Sequence, residues 1–302
     1  MGPRSLRARP PRLNLAHPPY YIGCPSWSER AWRESLYPPD APDLDLLGLY
    51  AQVFNAVEGN TTFYARPKPE IVQRWAAALP EHFRFSAKIP RDISHAGDLR
   101  EHLGAVEDFL QLLAPLGSRL QPLWLQLSAS FGPYRLNELG AFIDALEGRP
   151  LAVEVRNMAF FTKGEDERQL NRLLLDRGVE RICLDSRPLF SCVSSEPAVL
   201  HAQSKKPKVP PRPAALTSFP QVRFIGGPDE AINEGFIVQW AEKVAGWIEE
   251  GRTPSVFLHT PDNIASPQLA RRFHHQLMTL LPGLPDLPQL DRGRQVEQLG
   301  LL

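Results

Sequence analysis

A (β/α)8 barrel of the TIM type, a single α/β domain with a flexible extension at each end, is the fold class this sequence predicts. Three observations predict it. Eight short apolar runs begin near Tyr21, Asn55, Phe83, Pro122, Leu151, Arg181, Val222 and Ser255, at gaps of 34, 28, 39, 29, 30, 41 and 33 residues. Segments with helical periodicity lie between most of them, an alternation of strand and helix eight units long. Most runs also end in a charged or amide residue, and in such barrels the chemistry sits at the C-terminal ends of the strands.

The runs themselves name the strands. Tyr21-Ile22-Gly23 leads into Cys24-Pro25-Ser26-Trp27, and the second run carries Val57-Glu58-Gly59-Asn60 before Thr61-Thr62-Phe63-Tyr64. Phe83 to Lys88 continues to Arg91 and His95, Leu123 to Leu127 contains Gln126, and Ala152-Val153-Glu154-Val155-Arg156-Asn157 forms the fifth. Ile182-Cys183-Leu184-Asp185, Val222-Arg223-Phe224-Ile225-Gly226 and Val256-Phe257-Leu258-His259 complete the set. The helices read from apolar stripes and their stops. Asp98 with Glu101 has capping-box spacing, Leu170, Leu173 and Leu174 precede a stop at Gly178, and Ile237, Trp240, Ala241, Val244 and Ile248 form one face. Ser266 and Pro267 have the order of an N-cap and first helical residue before Leu269, Phe273 and Leu277.

Composition bounds the function. With 302 residues and 43% hydrophobic content the chain suits one barrel, and a disordered middle is excluded. The 34 basic and 34 acidic residues balance, so any polyanion contact must be local. Cys24, Cys183 and Cys192 have no ligand spacing and fit a reducing cytoplasm. No stretch reaches the length of a membrane span, and no organic-cofactor motif appears. Residues 1–19 are rich in arginine and proline without an apolar core, which reads as a flexible extension, not a secretory signal. The barrel is expected over 20–281. Within it, 187–220 is a long loop bearing Lys205, Lys206 and Lys208, either a lid or substrate clamp or a solvated insertion, and 282–302 is a flexible tail.

Charged side chains inside apolar strands are costly unless they pair or face a wet cavity. Glu58, Glu154 and Asp185 are balanced by Lys88, Arg156 and Arg223, each at or near a strand's C-terminal end. Six such residues favour a polar pocket over a set of structural ion pairs. The expected catalytic groups are Glu58, Glu154 and Asp185. Trp27, Asn60, Tyr64, Lys88, His95, Gln126, Arg156, Arg223 and His259 are the expected substrate contacts.

The same segments resemble the YecE-like family of uncharacterised TIM-barrel proteins. The resemblance runs from Tyr21 to about Leu281. It is carried by Gly23 with Trp27, Tyr37-Pro38, the run from Phe54 to Tyr64, Trp75, Phe85-Ser86-Ala87-Lys88 and Ile93-Ser94-His95. Leu125-Gln126-Leu127, Glu154-Val155-Arg156, Asp185 and Arg223 continue it. It implies a barrel and no particular reaction. The chain departs from the commoner pattern at Gly59, at Asn157 with Phe160-Phe161, and at His259-Thr260-Pro261-Asp262-Asn263.

Three functions follow from these residues. The leading one is an enzyme (a hydrolase, lyase or isomerase) acting on an anionic, phosphate-bearing substrate such as a sugar phosphate, nucleotide or nucleic acid. Lys88, Arg156 and Arg223 would hold the anion and a carboxyl would serve as general acid or base, the pKa values pushed apart by their surroundings. The second is a metal-dependent phosphodiesterase resembling DNA-repair nucleases, with Glu58, Glu154, Asp185 and His259 as ligands. A divalent metal is not favoured, because no tight ligand motif occurs and three cations stand among the acids. The third is a non-catalytic module binding a nucleotide or nucleic acid, with the basic loop from Lys205 to Lys208 and the aromatics as its contact surface.

Gln298-Leu299-Gly300-Leu301-Leu302 resembles the short motif by which bacterial repair and replication proteins dock on the DNA sliding clamp. Chance in a leucine-rich chain end, or leucines that fold back onto the barrel, outweighs docking here. If docking holds, Gln298, Leu299, Leu301 and Leu302 carry it, and a peptide of residues 292–302 binds the clamp with roughly micromolar affinity. Replacing Gln298, Leu301 and Leu302 by alanine should abolish that binding in a fluorescence-anisotropy titration; equally negligible binding by both peptides would dismiss the motif.

Overall fold

Nine short parallel strands alternate with helices in a computed structural model that describes residues 18–146 and 148–290. The strands are β1 (Tyr21–Gly23), β2 (Ala56–Gly59), β3 (Arg84–Ala87), β4 (Leu123–Gln126), β5 (Leu151–Glu154), β6 (Glu180–Arg181), β7 (Cys183–Asp185), β8 (Gln221–Ile225) and β9 (Ser255–His259). The α-helices are α1 (Leu46–Ala51), α2 (Thr61–Tyr64), α3 (Pro69–Ala78), α4 (Arg91–Ser94), α5 (Leu103–Leu113) and α6 (Leu136–Ala145). They continue with α7 (Glu165–Asp176), α8 (Arg187–Phe190), α9 (Pro197–Lys205), α10 (Glu230–Glu249) and α11 (Ser266–Leu280).

The expected closed (β/α)8 barrel is not what these strands build. They form three separate parallel sheets: a four-stranded one in the order β1-β9-β8-β7, a pair β2-β3, and a three-stranded one in the order β4-β5-β6. The rhythm of apolar runs records which segments are strands and how they are connected, but it does not record which edges pair. Three seams interrupt the ladder. Between β6 and β7 the single expected strand breaks at Ile182, where the Leu184 N–H turns to the Ile182 carbonyl at 3.1 Å. Its first half pairs with β5 and its second with β8. Between β3 and β4 only isolated bridges form, Phe85 with Leu120 and Lys88 with Trp124.

The seam between β1 and β2 is bridged mainly by side chains. The Tyr50 hydroxyl, on α1, accepts from the Cys24 N–H at 2.7 Å and donates to the Ala56 carbonyl at 2.9 Å. The Asn55 amide does the same one step away, accepting from the Ile22 N–H at 2.7 Å and donating to the Tyr20 carbonyl at 3.0 Å. A side-chain Cβ at Gly23 would lie 1.9 Å from the Ala56 carbonyl oxygen, so the two backbones can approach only because position 23 is glycine.

The helices match their sequence signals more closely. Leu170 and Leu174 on α7 are buried, and Gly178 ends that helix at φ 62°. The α10 stripe Ile237, Trp240, Ala241, Val244 and Ile248 is buried throughout. The Asp98 carboxylate caps by accepting from the Arg100 N–H, on a 3-10 turn ahead of α5. Ser266 does not cap α11; it is the first helical residue, and its hydroxyl accepts from the Thr260 N–H at 3.0 Å. No helix among the described residues is long and apolar enough to cross a membrane.

The loop expected at 187–220 holds two helices, α8 and α9. The Gln203 side chain donates to the Leu189 carbonyl at 2.9 Å, and the Ser186 hydroxyl donates to the Pro207 carbonyl at 2.7 Å. Residues 282–290 run back along α11, with Leu284 buried and the Pro285 carbonyl accepting from His274 Nε2 at 2.9 Å. Residues 1–17 and the tail residues Gln298, Leu299, Leu301 and Leu302 lie outside the described residues.

Most apolar side chains join one large core beneath the helices. A second cluster of Tyr21, Ala56, Trp124, Ala152, Ile182 and Phe257 takes residues from all three sheets and the β6–β7 link, so the inner faces of the sheets meet there. Replacing Tyr50 by phenylalanine removes the hydroxyl that bridges the β1–β2 seam and leaves a buried N–H and carbonyl without it. It should lower unfolding stability by about 1–3 kcal/mol. An unchanged midpoint in urea would show that the seam does not depend on that hydroxyl.

Candidate functional site

Each sheet sends a charged residue to one buried point. Glu58 comes from β2, Glu154 from the end of β5 and Arg223 from β8; all three are almost completely inaccessible. Arg223 spans the carboxylates, with Nη2 2.8 Å from Glu58 Oε1 and Nη1 3.1 Å from Glu154 Oε2. Lys88, just beyond β3, places Nζ 2.8 Å from the same Glu58 oxygen. Arg156 grips Glu154 from above at 2.7 Å. Gln126 Oε1, at the end of β4, accepts from Lys88 Nζ at 3.2 Å and from Arg156 Nη2 at 2.9 Å. His259, ending β9, lies 2.7 Å from Glu58 Oε2 through Nε2. Trp124 forms the floor, its ring centre 4.7 Å from Lys88 Nζ and 5.5 Å from the Arg223 guanidinium.

The electrostatics differ from the expected pair of carboxyls with separated pKa values. Burial pushes both acids up, but the neighbouring cations outweigh it. Arg223 and Lys88, with His259, hold Glu58 well below the usual carboxylate range, and Arg223, Arg156 and Lys88 bring Glu154 down to about 2. Both acids are therefore ionised acceptors near neutral pH. Burial lowers His259 to about 3 despite Glu58, so the imidazole is neutral. Because Glu58 can only accept, His259 Nε2 carries the proton and Nδ1 is left as an acceptor. That Nδ1 and the Trp124 Nε1–H are buried without a hydrogen-bond partner among the described residues. Burial, reinforced by Arg223, lowers Lys88 to about 8 against the pull of Glu58 and Glu154.

Other expected site residues lie outside this cluster. Asp185 is buried, but it shares a face of β7 with Cys183 and turns toward α10. There it accepts from Trp240 Nε1 at 2.8 Å and pairs with Arg187 Nη2 at 2.7 Å. Trp27 packs against Trp75 and Phe85 with ring centres 5.3 and 5.5 Å away, so it is core, not an open stacking platform. Asn60 ties β2 to the first loop by donating to the Pro25 carbonyl at 2.9 Å. Tyr64 and His95 line an outer cleft with Phe63, Arg66 and Arg91. Tyr64 is 78% exposed, while His95 is lowered by burial and by Arg156 and Arg91.

The four expected metal ligands do not converge. Asp185 faces away, and the Arg223 guanidinium stands between Glu58 and Glu154. Among the described residues there is no group of three or more His, Cys, Asp or Glu side chains suited to a metal ion.

Lys206 was expected as one lysine of a basic loop and not among the individual site residues. It caps the C-terminus of α9 in an extended conformation, at φ −93° and ψ 137°, directly before Pro207. The residue is half-buried, and burial of its amine, followed by the charge of Arg223, pushes it down to about 7 against the pull of Glu58 and Glu154. The signal in the chain was the Lys206-Pro207 pair, which ends a helix and redirects one lysine of a basic run.

A family model described as a protein of unknown function, DUF72, matches residues 21–291. The chain belongs to the DUF72 family. The protein YecE of Escherichia coli K12, classed as UPF0759, is 42% identical over 273 residues, covering 89% of this chain and 97% of that protein. The YecE of Escherichia coli O157:H7 matches equally, at 42% over 273 residues. Among solved DUF72 structures, one from Enterococcus faecalis superposes with a TM-score of 0.65 at 22% identity, covering 90% of this chain and 100% of that one. One from Thermotoga maritima gives 0.61 at 19% identity, covering 87% and 99%. These likenesses show a shared DUF72 fold, and the YecE-like resemblance read from the motifs is shown by the family match.

A carboxyl whose folded pKa lies below its unfolded value stabilises the fold above the unfolded pKa, and that contribution fades as pH falls through the folded one. For Glu154 the window runs from the ordinary 4.5 down to about 2. Unfolding stability should therefore fall steeply with acid across that window. Glu154→Gln should flatten this acid limb and lower stability at pH 7; an unaltered acid limb in denaturant titrations at several pH values would refute the assignment.

Proposed function

We propose that this DUF72 protein is a cytoplasmic enzyme that binds a small anionic, phosphate-bearing substrate above the Glu58–Arg223–Glu154 cluster and moves protons there through amines. The observation that carries this reading is the charge balance of the cluster. Three cations, Lys88, Arg156 and Arg223, surround two carboxylates that are locked in the ionised state. An excess of cation in a place shielded from water attracts an anion strongly. Trp124 Nε1 and His259 Nδ1 add unmet hydrogen-bonding capacity at the same place.

Glu58 and Glu154 act in this proposal as positioning residues. Acids held so far down are poor proton donors and weak bases near neutrality, whereas an amine near 8 exchanges protons readily. Proton transfer at a carbon or oxygen centre suits a lyase or isomerase, and it suits a metal-dependent phosphodiesterase less, since cations already occupy the space between the acids. The two buried thiols and the half-buried Cys192 are all free, consistent with a reducing compartment. Docking on the sliding clamp through Gln298, Leu299, Leu301 and Leu302 remains a separate proposal resting on the sequence.

Arg156 is the cation to substitute in a test. Removing Arg223 would take a shared partner from two buried carboxylates at a cost of about 3–5 kcal/mol, whereas the Arg156 side chain is 17% exposed and pairs with Glu154 alone. A calorimetric screen of inorganic phosphate and phosphorylated metabolites should find binding, and Arg156→Gln should weaken it about tenfold or more. Equal binding by the variant, or no binding of any phosphate-bearing compound by the native protein, would overturn the proposal.

A further inference from the structure

A cavity opens at the opposite ends of the strands from the charged cluster. Six strands line it with their first residue: Tyr21 on β1, Arg84 on β3, Leu151 on β5, Glu180 on β6, Gln221 on β8 and Ser255 on β9. Its volume is about 290 Å³, at the small end for ligand pockets. Pro122, Pro150 and Phe219 give it apolar walls, and Phe219 is 58% exposed. Side chains alternate along a strand, so Gln221 shares the inner face of β8 with Arg223, and Arg84 that of β3 with Lys88. The space between the sheets thus carries polar groups at both ends, with Trp124 and Phe257 of the apolar cluster between them.

Two hydrogen-bond donors in this cavity lack an acidic partner. The Arg84 guanidinium lies over the Tyr21 ring, 5.0 Å from its centre, and its Nη1 donates to the Phe83 and Ser118 carbonyls at 3.2 and 3.5 Å. Among the described residues no carboxylate pairs with Arg84, and the Tyr21 hydroxyl makes no hydrogen bond. Burial raises the Tyr21 phenol against the pull of Arg84, so its proton stays available. The acid in the lining is already committed: Glu180 accepts from the Arg181, Leu216 and Thr217 N–H groups and from the Thr217 hydroxyl. Gln221 spends its Nε2 on the Phe219 carbonyl and the Ser255 hydroxyl, at 3.1 and 3.3 Å, and leaves Oε1 buried without a partner among the described residues. An unmet acceptor beside two unmet donors, within apolar walls, calls for a ligand that carries both a negative charge and a donor.

We infer that this cavity binds a small aromatic carboxylate bearing a hydroxyl or amino group, its carboxylate on Arg84 and Tyr21 and its ring against the prolines and Phe219. One planar guanidinium beside a phenol matches a planar monoanion. A phosphate dianion would leave charge facing apolar walls without a partner. The ring buries apolar area against those walls, and its hydroxyl or amino group supplies the donor that Gln221 Oε1 lacks. This site is separate from the one proposed for phosphate-bearing substrates and does not rest on it.

The test titrates the full-length protein, residues 1–17 included, with 4-hydroxybenzoate in a calorimeter. A dissociation constant of about 1 mM or tighter is expected for so small a ligand. The neutral 4-hydroxybenzamide should bind about tenfold more weakly or worse, since it lacks the charge that Arg84 pairs. Arg84→Gln should weaken binding of the acid about tenfold, and Phe219→Ala, at an exposed position, about threefold. Arg156→Gln and excess inorganic phosphate should leave it unchanged, because both act at the other end of the strands. Should Arg84→Gln fail to fold, the comparison of acid with amide and the Phe219→Ala variant still decide. No binding by the native protein, equal binding of acid and amide, or a loss in Arg156→Gln with none in Arg84→Gln would overturn the inference.

Discussion

The guanidinium of Arg223 reaches from the four-stranded sheet to a carboxylate on each of the other two, Glu58 at 2.8 Å and Glu154 at 3.1 Å. The other charged members are placed by one of those two acids. Lys88 and His259 gather on Glu58 and Arg156 on Glu154, while Gln126 joins Lys88 to Arg156. Burying so many charges is expensive, and the cost is met only because each one is paired at hydrogen-bonding distance. The arrangement substitutes side-chain electrostatics for the backbone ladder that the sheets lack at their seams. It also explains why both acids stay ionised although they are buried.

Two kinds of cross-link thus hold the strands side by side. Below the charged cluster, Trp124 and its five apolar neighbours supply contact between the inner faces, and the Trp124 ring also receives two cations on its surface. At the edges, Tyr50 and Asn55 supply donors and acceptors where strand would otherwise meet strand. The helices then cover the outer faces through the large apolar core. A site built on strand ends in this way inherits the rigidity of all three sheets, which suits chemistry that depends on fixed charge.

Much of this was legible in the chain, and the failures have identifiable causes. Seven of the eight apolar runs contain a single strand, since burial on both faces leaves a continuous apolar signature. The lateral pairing was not legible, because edge contacts at the seams depend on individual side chains such as Tyr50 and on a break at Ile182 that no period reveals. Glu58, Lys88, Gln126, Glu154, Arg156, Arg223 and His259 could be picked out as costly residues in apolar strands. Asp185 shared that signature, but the alternation of side chains on β7 sends it to Trp240 instead. Trp27 was indistinguishable in sequence from an exposed aromatic, and its packing on Trp75 is seen only in the fold.

The seam at β1 has a consequence for how the molecule breathes. The Tyr21 N–H is secured by backbone, to the Pro254 carbonyl at 2.8 Å, whereas the Ile22 and Cys24 N–H groups are secured by Asn55 and Tyr50 side chains. Alternate amides of one short segment are therefore shielded by two different events. Releasing the first requires strands to part, a cooperative opening, while releasing the others requires only that a single side chain leave its rotamer. In hydrogen–deuterium exchange, neighbouring amides of this segment would report two separate opening free energies, one sub-global and one local.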